Sequence, residues 1–210
     1  PRLHLTDIGE APEEPAAEYW DGAPLPCLRH TMATHGIAYG YRYYSLAGVA
    51  FEELPYVSVL ALVLGKLDTA RHTAAQIDTL VQALLGNLAF YTDVFEDKTD
   101  AGAVDCCFTV SASALSENAE ALAQLPREVL CETDFSDRQR ILDLLKQRKI
   151  SMEQGFINNG HSCASARARS YCTAGGVVGE ALGNVGFYRF LCQLIDDFDQ
   201  RFPDLQKRLE

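Results

Sequence analysis

Positive charge is scarce in this 210-residue sequence. Eighteen Lys and Arg stand against 29 Asp and Glu, a formal net charge of −11. A phosphate backbone is held by a basic surface, so this balance argues against a nucleic-acid partner. Long apolar runs are also missing. The most apolar stretch, residues 54–64, meets Lys66 and Asp68 before it is long enough to cross a bilayer, so no membrane span is expected. No basic segment followed by an apolar one opens the chain, so no signal peptide is expected. A chain that begins Pro1-Arg-Leu-His, without Met, is expected to be an excised piece or a processed product. The seven cysteines (27, 106, 107, 131, 163, 172 and 192) are odd in number and contain no C-x-x-C. That suggests neither a disulfide framework nor a zinc ribbon. Free thiols in a reducing, cytoplasmic setting are the expectation. Neither H-x-x-E-H nor H-E-x-x-H occurs, and there is no low-complexity segment or short repeat.

What remains is an ordinary globular composition, 48% hydrophobic and 22% charged. Residues 1–26 read as an arm or linker: Glu10, Glu13, Glu14 and Glu18 alternate with Ala and Pro, and Pro24 and Pro26 precede an ordered region. Leu3, Leu5, Ile8 and Trp20, the only tryptophan, are candidates for docking. Residues 27–210 read as one domain. Ile37, Tyr39, Tyr41 and Tyr43 alternate with Ala38, Gly40, Arg42 and Tyr44, a strand pattern within residues 34–46. The run from Leu54 follows as a helix apolar nearly all round, with Pro55 suited to its first turn; such a helix is buried on most faces.

Thr73 and Gln76 form a capping box for a second helix carrying Ile77, Leu80, Val81, Leu84 and Leu85 at helical spacing, with Gly86 as its expected end. Residues 88–95 and 103–112 read as a hairpin in which adjacent Cys106 and Cys107 point to opposite faces and cannot share a metal. Ser116, then Ser136 with Gln139, are expected to start two further helices, the second running through Met152 toward Tyr171 with a weak point at residues 158–160. Gly175-Gly176 reads as a terminator, and one last helix carries Phe187, Phe190, Leu191, Leu194, Ile195 and Phe198. Few strands with grouped helices predict an α+β fold: a two-layer sandwich, its mostly antiparallel sheet covered on one face by helices.

Chemistry-bearing groups are sparse. His30 and His35 are not at a usual ligand spacing, and a helix would splay His161 from Cys163, so no metal site is expected. A Cys163–His161 nucleophile pair competes with the reading that the thiols are buried or inert. Gly175-Gly-Val-Val-Gly179 lacks the preceding strand and following Lys of a phosphate loop. Arg71, Arg167 and Arg169 are candidates to pair a peptide carboxylate, against the reading that they form solvated helix faces. The tyrosines of 39–44 offer either stacking surface to a peptide or, the favoured reading, the aromatic face of a sheet core.

Four stretches, in this order, resemble one half-unit of the pitrilysin-type (inverzincin) zinc peptidases, most closely the presequence-protease branch: Leu3-His-Leu-Thr-Asp-Ile8, Thr34-His-Gly-Ile-Ala-Tyr39, Leu54-Pro-Tyr-Val-Ser-Val-Leu-Ala-Leu-Val-Leu-Gly-Lys-Leu-Asp-Thr69 and Leu182-Gly-Asn-Val-Gly-Phe-Tyr-Arg-Phe-Leu191. The resemblance implies an enzyme of two halves, each of two related α+β units, enclosing a chamber in which short unstructured peptides are cut. Its catalytic unit carries H-x-x-E-H on the helix after the first strand, two His on zinc and a Glu activating the water. The matching helix here, 54–67, contains neither His nor Glu. The resemblance therefore implies the third unit, without catalytic, cofactor-binding or metal residues. Zinc and catalysis would belong to the N-terminal half of the parent chain, and partners would be that half and peptide substrates. The alternatives are a stand-alone scaffold of the same fold and a thiol-dependent enzyme.

Overall fold

The computed structural model describes residues 16–97, 99–100 and 102–210. Docking candidates Leu3, Leu5 and Ile8, and the motif that holds them, lie outside the described residues. The chain divides into two units at the 36/37 junction. In the described part of the first, strand β1 (Ala17–Tyr19) pairs antiparallel with β2 (Leu28–His30), and Trp20 is exposed. A short hairpin thus crosses the stretch read as an arm.

The second unit holds a three-stranded antiparallel sheet in the order β3 (Ile37–Ser45), β5 (Val104–Leu115), β4 (Asn87–Glu96). Its register sets the two faces. Phe108, Val110, Ala112 and Ala114 of β5 are buried and face the helices. Opposite them in register stand Ala38, Gly40, Arg42 and Tyr44 on β3 and Leu88, Phe90 and Thr92 on β4, with Val94 opposite Cys106. Cys106 shares this face and packs on the core, while Cys107 falls on the other. The predicted alternation there is observed.

The tyrosine face departs from expectation. Tyr39, Tyr41 and Tyr43 keep 57%, 55% and 55% of their surface exposed, so they line the outer face and not the core. Tyr41 stacks on Tyr43, and Tyr43 meets Phe95 edge-on. Between the aromatic flanks, Thr109 donates to Asp93 Oδ2 at 2.8 Å. On the helix-facing side of β3, Leu122 of a covering helix lies against Gly40, where even an added Cβ would stand 2.8 Å from its Cδ2.

Helix α1 (Leu54–Val63) is the centre of the core. Leu54, Val59 and Val63 are buried, and the helix touches β4 and helices α4 (Arg138–Asn158), α6 (Ala174–Leu182) and α8 (Phe198–Leu209). Each fully buried Val or Leu stabilises by about 1.5–3 kcal/mol through burial. The predicted capping box of α2 (Ala74–Leu84) is present: Gln76 N–H donates to Thr73 Oγ1 and Thr73 N–H to Gln76 Oε1. Gly86 does not cap it. Leu85 is already extended, and Gly86 N–H donates to Ser113 O as the chain enters β4.

The other helix boundaries are also displaced from expectation. A 3-10 turn occupies Ser116–Asn118, and α3 (Ala121–Glu132) starts beyond it. Asp137, not Ser136, caps α4 by accepting from Arg140 N–H. Residue 159 separates α4 from α5 (Gly160–Arg169). Gly175 and Gly176 open α6 instead of ending a helix. Thr173 Oγ1 accepts from Gly176 N–H, and a Cβ on Gly176 would stand 2.5 Å from Arg169 O, so the close crossing of α5 and α6 requires glycine there. The final apolar pattern breaks at Asp197 into α7 (Val185–Asp196) and α8.

A polar clasp ties the loop after α1 to α3. The buried Glu128 accepts at Oε1 from Thr69 Oγ1 at 2.6 Å and lies 2.8 Å from His72 Nδ1. Burial pushes the Glu128 carboxyl up, but its bonds to Thr69 and His72 and the His72 charge outweigh this and hold it below the ordinary 4.5. A carboxyl lowered by folding stabilises above its ordinary pKa and loses that contribution as pH falls through the lower folded value. The stability difference between the unsubstituted protein and Glu128→Gln, read from urea unfolding, should therefore be largest near neutral pH and shrink below about pH 4.5. A difference constant with pH contradicts the clasp. In the core, Leu191→Ala should cost about 2–5 kcal/mol by the same measurement. Tyr41→Ser on the outer sheet face should cost less than about 1 kcal/mol.

Candidate functional site

A cleft of about 540 Å³ lies where α1, α5, α6 and α7 converge. Phe51 and Glu52, in the 3-10 turn before α1, and Pro55 form one wall. Arg167, Ser170 and Tyr171, at the end of α5, form a second. Val177, Glu180 and Ala181 of α6, with Gly186 of α7, form the floor.

Glu180 is the unusual residue. It is 5% exposed, the one charged side chain in a nine-residue helix of otherwise small and apolar residues. Its Oε2 accepts from Arg167 Nη1 at 2.9 Å and from Gly186 N–H at 3.1 Å. A Cβ on Gly186 would come within 2.6 Å of Glu180 O, so glycine allows α7 to approach closely enough for that bond. Glu180 Oε1 is buried and has no hydrogen-bond partner among the described residues. The Glu180 bond, with Tyr171 beside it, pushes the Arg167 guanidinium up from its ordinary pKa. Arg167 also lies over the Tyr171 ring, 5.3 Å from its centroid. Buried carboxylates demand compensation, and among the described residues Glu180 has it on one oxygen only.

The three arginines singled out in the sequence are not brought together. Arg167 lines the cleft. Arg169 pairs with Glu96 Oε2 at 3.1 Å, and Thr173 Oγ1 donates to Glu96 Oε1. Arg71 pairs with Glu132 Oε1 at 2.6 Å beside the Glu128 clasp. Each guanidinium thus already faces a carboxylate of this chain, and a peptide carboxylate would compete with it. Glu180, Glu52, Phe51 and Tyr171 were missed by sequence reasoning. A solitary Glu within an apolar helix was the available signal for the first.

The Cys163–His161 pair is not formed among the described residues. Cys163 is half-buried, His161 is exposed, and no hydrogen bond joins them among the described residues. Burial, with Cys107 and Asp105 nearby, pushes the Cys106 thiol up; burial, with Asp105 and Asp93, does the same for Cys107. A raised thiol pKa lowers the fraction of nucleophilic thiolate. Zinc does not fit α1 either: its ten residues, Leu-Pro-Tyr-Val-Ser-Val-Leu-Ala-Leu-Val, offer neither imidazole nor carboxylate. Among the described residues, no cluster of three or more His, Cys, Asp or Glu is placed to hold a metal. No helix among them is long and apolar enough to cross a membrane.

Comparison with known proteins gives a family and several relatives. The family model for the domain associated with peptidase family M16, subfamily C, matches residues 1–194. The mitochondrial presequence protease of Yarrowia lipolytica is 26% identical over 204 residues, covering 97% of this chain and 20% of that protein. Presequence protease 1 of Arabidopsis thaliana, chloroplastic/mitochondrial, is 26% identical over 213 residues, covering 100% of this chain and 19% of that protein. Protein HypA of Clostridium perfringens is 24% identical over 194 residues, covering 92% of this chain and 20% of that protein. The chain spans about a fifth of the length of the curated relatives it matches. With its α+β fold and a family match over nearly its whole length, the chain belongs to the family of domains associated with the subfamily C peptidases of family M16.

Proposed function

We propose that this chain is a non-catalytic wall of a zinc-dependent peptidase that degrades short unstructured peptides. It closes the substrate chamber and holds the C-terminal half of the parent enzyme in place. The observation that carries this reading is helix α1: at the position where the resembling catalytic unit has its zinc-binding helix, this chain has buried Leu54, Val59 and Val63. The names of its relatives, presequence proteases, support peptides as the substrate class. Zinc and the water-activating carboxylate then belong to the N-terminal half, which is the partner of this chain. Arg71, Arg167 and Arg169 serve first as internal pairing groups, and Arg167 alone of the three borders the cleft. The free thiols suit a reducing compartment, which we take as cytoplasmic.

The purified chain, incubated with zinc and desalted, should retain no stoichiometric metal and should not cut an unstructured peptide. It should instead co-elute with the zinc-bearing half of its parent. Metal retention with chelator-sensitive cleavage by this chain alone would overturn the reading.

A further inference from the structure

The cleft between the α1 turn and α6 has a polarity that the wall function does not use. Arg167 and Glu180 cancel each other, and Glu52 adds an exposed carboxylate, so the three charged side chains lining it sum to minus one. Glu180 lines it, and its Oε1 is a buried acceptor with no donor among the described residues. Such an oxygen calls for an N–H or O–H that arrives from outside. Around it the lining is apolar: Phe51, Pro55, Val177 and the ring of Tyr171, which is exposed beyond its contact with Arg167. A water molecule satisfies the oxygen but leaves those walls uncovered. A second carboxylate is repelled by Glu52 and Glu180. An apolar stem ending in a cationic donor satisfies both features: the stem covers the walls and the head gives Glu180 its missing hydrogen bond.

We propose that this cleft is a binding site for a lysine or arginine side chain of an extended peptide. The stem lies against Phe51, Pro55 and Val177. The cationic head reaches Glu180 Oε1, with Glu52 adding attraction at the mouth and Tyr171 a ring face for the charge. The site depends on no metal and on no catalytic group, so it stands or falls independently of the parent's peptidase chemistry.

Two labelled, unstructured peptides that differ at one position, Lys against norleucine, test this by fluorescence anisotropy with the 210-residue chain. The two side chains share an apolar stem and differ in the cationic head. The lysine peptide should bind roughly tenfold tighter, a preference that falls as salt rises. Glu180→Gln should remove the preference. Because that residue is buried and its substitution can disturb folding, the exposed Glu52→Gln is the second variant; it should reduce the preference severalfold with an unchanged circular dichroism spectrum. Tyr171→Ala should weaken both peptides. Equal affinity for the two peptides, no binding of either, or a preference unmoved by Glu52→Gln and Glu180→Gln would each overturn the proposal.

Discussion

A helix that is apolar on every side has one stable place in a globular domain, the middle, and the second unit is arranged around that requirement. Helix α1 is enclosed by β4 and by α4, α6 and α8. Its polar groups are consumed inside that enclosure. Ser58 Oγ donates to Leu182 O at 2.6 Å, and the Tyr56 hydroxyl accepts from Arg201 Nη2 at 2.9 Å. The Tyr56 ring meets Phe190 edge-on and carries the Arg208 guanidinium on its face. A residue with the solvation needs of a metal-binding His or a catalytic Glu would be foreign to this surrounding.

Around that core, charge is handled by local pairing. Arg71, Arg167, Arg169 and Arg208 each meet a carboxylate from a distant part of the sequence: Glu132, Glu180, Glu96 and Glu53. The exposed pairs among these contribute little to stability. Their effect is positional, tying α5 to β4 and to α6, and α8 to the turn before α1. Glu180 differs because it is buried with only one of its oxygens satisfied among the described residues.

Much of this architecture was legible in the residues. The Thr73–Gln76 capping box, the hairpin of β4 and β5, and the buried character of α1 follow from patterns spanning a few residues. So does the division of Cys106 and Cys107 between faces. What was not legible depends on contacts distant in sequence. Tyr39, Tyr41 and Tyr43 carry a strand's alternation, but alternation does not say which face is covered. Gly175 and Gly176 read as punctuation, whereas the lack of a side chain makes room for Glu96 of β4 at Gly175 and for the crossing of α5 and α6 at Gly176. The cleft was invisible for the same reason. Phe51 is far in the chain from Tyr171 and Glu180, and the partners of Arg167 could not be read from its helix alone.

The role proposed for this chain is to shape a chamber whose chemistry lies elsewhere in a longer polypeptide. The most direct measurement is cleavage of an unstructured peptide by the zinc-bearing remainder of the parent enzyme, with and without this chain added back in trans. The account predicts weak or absent cleavage by the remainder alone, and a saturable rise on addition of this chain at one-to-one stoichiometry. Full activity of the remainder, unchanged by the addition, would contradict it.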